Sequence, residues 1–410
     1  MSLNKPISLV TYASDSETIR AIIDANIDAI ILEDSKLSSR SFYNDFNTDN
    51  FDKIKDLSVL ARKLNPLIKL SFNLDLLIHD NHFPIIDKLI QTLKIANINT
   101  VRIQDTGLID YFTCKYPEFK IQLAFETGVS NLESIKFLTV NSCARNIDQI
   151  LLSNELSIKN IIDIINSNLS KFEFQVHGKV LLQYSHRRLL AAIENELLNA
   201  TPLHRLVQDI SRKELFFNAE DNPHGHFLFH PHQKCLLSEI PRLINSNLDS
   251  FLIDLRGESL NYLSATIKTY KTEINLYAKG SDSWALSYAS HDFIKKHENN
   301  SFTKCFFNEN NTDSEGPHSF KLEHSDFIGT ILDVIKLKST VIELVAPLKL
   351  GDTILIKNPY DKLIRYTISN MKNIWNESIE TSLNHTLIKL PWIKGTLPES
   401  IVMRKSPQEG

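Results

Sequence analysis

Apolar positions along the chain follow one rhythm up to about residue 280 and another from about residue 326. In the first part, short apolar runs bounded by turn residues alternate with segments whose apolar positions recur every three or four residues. Such runs read as buried strands and such segments as amphipathic helices. The predicted strands are 7–12, 28–33, 67–73, 100–104, 120–125, 149–153, 172–177 and 250–254. The predicted helices are 16–25, 51–64, 83–96, 108–115, 132–138, 158–166 and 260–277. Alternation at this spacing implies parallel strands joined by right-handed crossovers. Eight such units suggest a closed (β/α)8 barrel rather than an open sheet, a choice that composition alone does not settle. Between the seventh and eighth strands an insertion, 191–234, carries a predicted helix at 203–213 and a strand at 227–230.

Residues 281–325 are polar and read as an irregular linker, densest in Asn, Glu, Ser and Thr over 297–314. Beyond it only strands are predicted, at 327–332, 340–345, 352–356, 365–369, 386–390 and 401–403. Pro347, Gly351, Asn358-Pro359, Pro391 and Gly395 punctuate them. That pattern is a small all-β barrel over residues 326–405. The chain thus divides into an α/β part, 1–280, a connecting segment and an all-β part.

Composition narrows the function. The 410 residues carry a net charge of −4, which argues against broad nucleic-acid binding but allows a local basic patch. No run of about 18 uncharged apolar residues marks a membrane span, and no long apolar leader is visible, so the expected place is the cytoplasm. Cys114, Cys143, Cys235 and Cys305 are widely spaced and read as free thiols. No GxGxxG or GxxxxGK[ST] occurs, which removes the Rossmann and P-loop sites. No HExxH or Ser/His/Asp order points to proteolysis.

In a barrel, residues at the strand ends converge on one mouth. Here these are Glu33, Asp34, Asn73, Gln104, Asp105, Glu126, Ser153, Glu155, His177, Asp254 and Arg256. Clustered carboxylates shift one another's pKa and serve as acid and base. Glu33, Asp105, Glu126, Glu155, His177 and Asp254 are therefore the catalytic candidates. The plainer role for each is to cap the next helix or to pair with Arg40 or Arg256. Behind the strand that ends at His177-Gly178 comes His186-Arg187-Arg188, a basic group in an acidic chain. Arginine forks bind carboxylate or phosphate, so Arg187, Arg188 and Arg256 are candidates for an anionic ligand, against a solvated face as the alternative. The run from His224 through His226, His230 and His232 to Cys235 places imidazoles and a thiolate together. Those ligands suit zinc or iron, so His230, His232 and Cys235 form a candidate single-metal set. Surface-loop histidines are the ordinary alternative.

The stretch from Glu173 to Leu190 carries a resemblance. Glu173, Gly178, Leu189 and Leu190 match fixed positions of the signature Glu-x-Phe-x-x-Gly-Ala-Leu-Cys-x-x-x-x-Gly-x-Cys-Leu-Leu-Ser, and Val180 matches conservatively. Tyr184 and Arg187 resemble residues common at its variable positions. The stretch resembles the collagenase-like peptidases, peptidase family U32, now associated mainly with oxygen-independent hydroxylation of tRNA, rRNA or quinone precursors. Arg40 matches that family's Phe-Ser-x-Arg loop, Phe72-Asn73 its Val-Asn, and Gln104-Asp105-Thr106-Gly107-Leu108 its Gln-Asp-Pro-Gly-Leu. The resemblance decides for the barrel, places the insertion over its catalytic end and implies substrate contacts from Arg40, Asn73, Gln104 and Tyr184. It implies RNA or a small anion such as prephenate as ligand and a four-iron–four-sulfur cluster as cofactor. The signature's two cysteine positions hold Leu181 and Arg188, however, and no cysteine occurs over 203–213. Cys235 alone keeps a ligand position, so four cysteines from this chain are excluded by arithmetic. The expectation is a relative that binds RNA or an anion without the cluster, as the partner of a cluster-bearing paralogue. The alternative is an active hydroxylase or peptidase with replaced metal ligands.

Overall fold

The computed structural model of the protein describes residues 6–39, 51–125, 128–141, 146–193, 202–209, 212–280, 285–297, 302–308, 327–358, 363–383, 386–398 and 400–404. The chain forms two compact units, Met1–Asp313 and Ser314–Gly410.

The first unit is a closed parallel barrel. Its strands are β1 (Ser8–Ala13), β2 (Ala29–Leu32), β3 (Lys69–Leu74), β4 (Thr100–Ile103), β5 (Lys120–Leu123), β6 (Ile147–Leu151) and β7 (Lys171–Gly178). An excursion contributes β8 (Leu181–Ser185), β9 (Leu203–Asp209), β10 (Arg212–Asn222), β11 (Gly225–Phe229) and β12 (Lys234–Cys235), and β13 (Ser250–Asp254) completes the barrel. Consecutive strands pair in parallel, and β13 closes the ring between β7 and β1.

Several of the crossover helices start or stop on a local signal. The side chains of Asp15, Asp105, Ser157 and Ser259 cap helices Ser16–Asp24, Thr106–Lys115, Ile158–Ile165 and Leu260–Lys279 by accepting backbone N–H groups. At the other end, asparagine takes the left-handed position usually given to glycine, at Asn26, Asn97, Asn168 and Asn247. Ile27 and Ile98 then return their N–H groups to Ile22 and Leu93, at 3.1 and 2.9 Å, and bury their side chains. A chain with 11 glycines can thus still end its helices cleanly.

The inside of the barrel departs from the usual packing by bulky branched residues. Val10, Ile31, Ala124, Leu151 and Leu252 make a small apolar cluster. The rest is a polar network. Arg102 reaches across from β4 to Glu173 on β7 at 2.6 Å, both side chains 1% exposed, and also contacts Tyr12 and Gln122. Glu173 accepts from Ser250, and Gln149 donates to Ser250 and accepts from Gln122. Burial opposes charge on Arg102, but Glu173 and Tyr12 outweigh it and raise the guanidinium's pKa.

The excursion differs from its expected form. Residues predicted as a helix at 203–213 instead form β9 and the start of β10, an antiparallel pair in a sheet ordered β8-β11-β10-β9. The period that decides is two: Leu203 and Val207 pack with Leu190, Ala191 and Ala219 on one face. The predicted linker also holds a helix, Tyr288–Lys296, capped by Ser287 and anchored through Phe293. The second unit is an antiparallel half-barrel of six strands: β14 (Phe327–Ile335), β15 (Ser339–Leu344), β16 (Thr353–Lys357), β17 (Leu363–Thr367), β18 (Leu387–Pro391) and β19 (Ile401–Arg404). Their spatial order is β17-β16-β19-β14-β15-β18 around an Ile- and Leu-rich core.

Gly178 ends β7 with φ +109°, and a Cβ there would lie 1.8 Å from the Asp254 carbonyl oxygen. That carbonyl accepts the Lys179 N–H at 3.0 Å. Gly178→Ala is therefore expected to cost at least about 2 kcal/mol of unfolding free energy, read as a shifted denaturant midpoint. An unchanged midpoint would show that the crossing of β7 over β13 tolerates a side chain.

Candidate functional site at the barrel mouth

The ends of β1, β2 and β13 enclose a cavity of about 140 Å³, with Tyr12, Glu33, Asp254, Arg256 and Glu258 in its wall. Asp254, 2% exposed, holds the Arg256 guanidinium through Nη2 at 2.7 Å and Nε at 3.2 Å. Glu33 accepts from the Ser38 hydroxyl at 3.2 Å, and Ser38 accepts from the Asn73 amide at 2.8 Å. The fully buried Asn73 Oδ1 has no partner among the described residues. Gln104 donates to the Asp75 carbonyl. Asp105 caps its helix through Leu108 and accepts the Ile78 N–H at 3.2 Å. Two predicted acids therefore have structural work, Asp105 as a cap and Asp254 as an ion-pair partner. Glu155 is exposed on the loop after β6. Arg40 and Glu126 lie outside the described residues.

The β8–β11 sheet meets the loops at this end of the barrel. Tyr184 stacks on Phe227, with ring centroids 4.8 Å apart, and donates to the His224 carbonyl at 3.1 Å. Burial, then the nearby Asp75 carboxylate, raises its hydroxyl pKa. His224 donates from Nε2 to the Ser35 carbonyl at 2.6 Å. His79 Nε2 and His186 Nδ1 share a proton contact at 3.2 Å, and His82 Nδ1 accepts the His79 N–H at 3.0 Å. Arg187, exposed, and Arg188, half-buried, follow His186. Four imidazoles thus sit where the sheet and the β3 loop meet. His79 and His82 were not singled out in the sequence; their His-x-x-His spacing after a barrel strand was the available signal.

Other predicted residues lie elsewhere. His177 points away from the mouth into the helical layer, against Tyr262 at 2.9 Å and beside Tyr270, Phe293 and Phe302. Burial pushes its pKa down to about 3, so it is a neutral core imidazole. A local irregularity between β13 and β7 pairs Ile253 with His177 after Leu252 with Gln175, and so turns His177 outward. Cys235, beside it on β12, belongs to the same core, and burial pushes its thiol up to about 11. His230 Nδ1 accepts the His232 N–H at 3.0 Å, and His226 is bound to the buried Asp221 at 2.6 Å. Among the described residues no three His, Cys, Asp or Glu side chains are grouped to hold a metal ion. His230, His232 and Cys235 therefore do not form one ligand set.

The cluster implied by the resemblance also lacks its ligands. Leu181 packs against Phe227 and Phe229, Arg188 stands at the second cysteine position, and Cys235 is a buried neutral thiol beside Tyr270. His204 lies on β9, at the far edge of the sheet from β8, facing Glu220. These residues do not fit a thiolate-ligated cluster. One buried cation escaped the sequence reading: Lys234 bonds Asn154 at 2.9 Å over the Phe174 ring, and burial pushes its pKa down to about 7.

The histidine contact has a pH consequence. Burial and, for His82 and His186, the neighbouring His79 lower the pKa values of His82, His186 and His224 below the ordinary 6.5. The folded state therefore binds fewer protons than the unfolded state. The contact contributes fully above pH 6.5 and weakens as the pH falls toward the lowered values. Amide exchange of β8 and β11, corrected for intrinsic rates, should lose protection relative to β1–β4 below that pH. Equal loss in both sets would contradict a local effect.

The family model for peptidase family U32 matches residues 14–316. The chain is 22% identical over 347 residues to tRNA hydroxylation protein P1 of Bacillus subtilis, covering 81% of this chain and 78% of that protein. It is 23% identical to an uncharacterized protease of Methanocaldococcus jannaschii, covering 89% of this chain and 90% of the other. It is also 23% identical to tRNA hydroxylation protein P2 of Bacillus subtilis, over 69% of this chain and 90% of the relative. The family signature, the closed barrel and a match across most of the chain agree: the chain belongs to peptidase family U32.

Proposed function

We propose that this protein serves tRNA modification, binding RNA or a small anion such as prephenate at the barrel mouth. In this reading it carries no four-cysteine cluster and acts beside a cluster-bearing relative. The names of two relatives support the tRNA part. The observation that carries the rest is the identity of the residues at the ligand positions: Leu181 and Arg188 stand at two of them, and Cys235 is buried. Arg256 is held in place by Asp254 on the cavity wall, an orientation suited to a carboxylate or phosphate oxygen. Arg187 and Arg188 extend the same preference along the edge of the β8–β11 sheet. Asn73 adds a buried amide oxygen suited to accept from a hydroxyl of such a ligand, not to bond its anionic oxygens.

Two measurements separate the parts of this proposal. Iron and acid-labile sulfide, assayed on protein purified without oxygen, should be far below one cluster per chain; a stoichiometric four-iron–four-sulfur content would overturn cluster loss. Mass spectrometry of tRNA nucleosides from a strain lacking the gene should show less of a hydroxylated pyrimidine. An unchanged nucleoside profile would overturn the tRNA reading.

A further inference from the structure

The barrel has a second opening, at the end where its strands begin. A cavity of about 650 Å³ enters there and reaches the polar interior. Its cause is side-chain size. The positions that usually plug this end of such a barrel are Ala29, Ser71 and Ser250, with the amides of Gln122 and Gln149 between them. Three small residues leave space that branched side chains would fill.

The polar groups facing this space are mostly donors. Ser71, 7% exposed, has a hydroxyl with no partner among the described residues. Gln122 spends one amide hydrogen on Gln149, and Gln149 spends one on Ser250, so each keeps a second N–H. The carbonyl oxygens of both amides are occupied, by Arg102 and by Gln122 respectively. At the rim, Arg62, Lys69, Lys120 and Lys171 stand against two carboxylates, Asp148 and Asp249. Asp148 is taken by Lys171 at 2.8 Å, and Asp249 accepts the Phe172 N–H at 3.0 Å. Arg62 bonds only backbone carbonyls, of Ala96 and Asn97. Lys69 reaches only the Ser8 hydroxyl at 3.5 Å, and Lys120 makes no ion pair among the described residues. Unspent amide hydrogens at depth, and three of the four rim cations without a carboxylate partner among the described residues, call for an oxygen-rich anion.

We propose that the strand-start end of the barrel is a binding site for a small anion with several oxygens, a phosphate ester or a polycarboxylate. The ligand's charge sits between Lys69 and Lys120, and its oxygens accept from Ser71, Gln122 and Gln149. This site is at the opposite end of the barrel from Arg256 and stands independently of the tRNA reading.

Calorimetric titration of the full chain with inorganic phosphate and, separately, with citrate tests it. Saturable binding of at least one anion that depends on Lys69 and Lys120 is expected; which one binds tells phosphate ester from polycarboxylate. Lys69→Gln with Lys120→Gln changes two exposed side chains and should weaken that binding about tenfold or more, the worth of one charge-assisted contact. Ser71→Leu, which fills the space without touching the rim, should weaken it as well. No saturable heat with either anion at millimolar concentration would overturn the site. So would an affinity unaltered in the double lysine variant.

Discussion

The barrel depends on one ion pair drawn across its interior. Arg102 and Glu173 meet at 2.6 Å with almost no exposure, on strands that are not neighbours in the ring. Removing both charges from water costs several kcal/mol, so the pair has to be embedded in hydrogen bonds. Tyr12, Gln122 and Ser250 supply them, and Gln149 ties the set to β6. A polar interior of this kind fixes which residues point inward on six of the eight strands. Glu173, which stands at the glutamate that opens the signature, pairs with Arg102 inside the barrel and does not line the cavity at the mouth.

That frame carries, at the mouth, polar side chains already engaged with one another. Asp254 orients Arg256, Asp105 starts a helix, and Glu33 closes a chain of hydrogen bonds through Ser38 to Asn73. The β8–β11 sheet is attached there by histidines rather than by apolar packing alone, with His224 on Ser35 and His186 on His79. Two residues at positions where the resemblance places cluster cysteines lie in apolar packing. Leu181 supports Phe227, the stacking partner of Tyr184, and Cys235 joins the core around Tyr270.

Much of this was legible in the sequence because it rests on local signals. Alternating periods of two and three to four gave all eight barrel strands and the six strands of the second unit within a few residues. Asp105 and Ser259 announce their helices, and the repeated Asn-Ile and Asn-Leu pairs after helices were a further signal, one that only the left-handed backbone made plain. Residues 203–213 misled because Leu203 and Val207 fit a helical spacing as well as a strand's. β9 pairs with the strand that follows it, with Leu203 opposite Asp221 and Val207 opposite Phe217, partners outside the window in which the helical spacing is read. His177 misled for a similar reason. A strand irregularity reverses its direction, and only the register between β7 and β13 reveals it. The histidines that meet at the sheet came from segments over a hundred residues apart, so their contact was visible only in the fold.

The most direct test of the account is a double-mutant cycle on the pair inside the barrel, read by denaturant unfolding. If Glu173 is the structural counter-ion of Arg102, Glu173→Leu alone should lose about 3–5 kcal/mol, since it strands a buried guanidinium. Arg102→Met together with Glu173→Leu should then recover most of that loss. Additive losses in the double variant, or a Glu173→Leu protein as stable as the original, would contradict the claim that this pair organises the barrel.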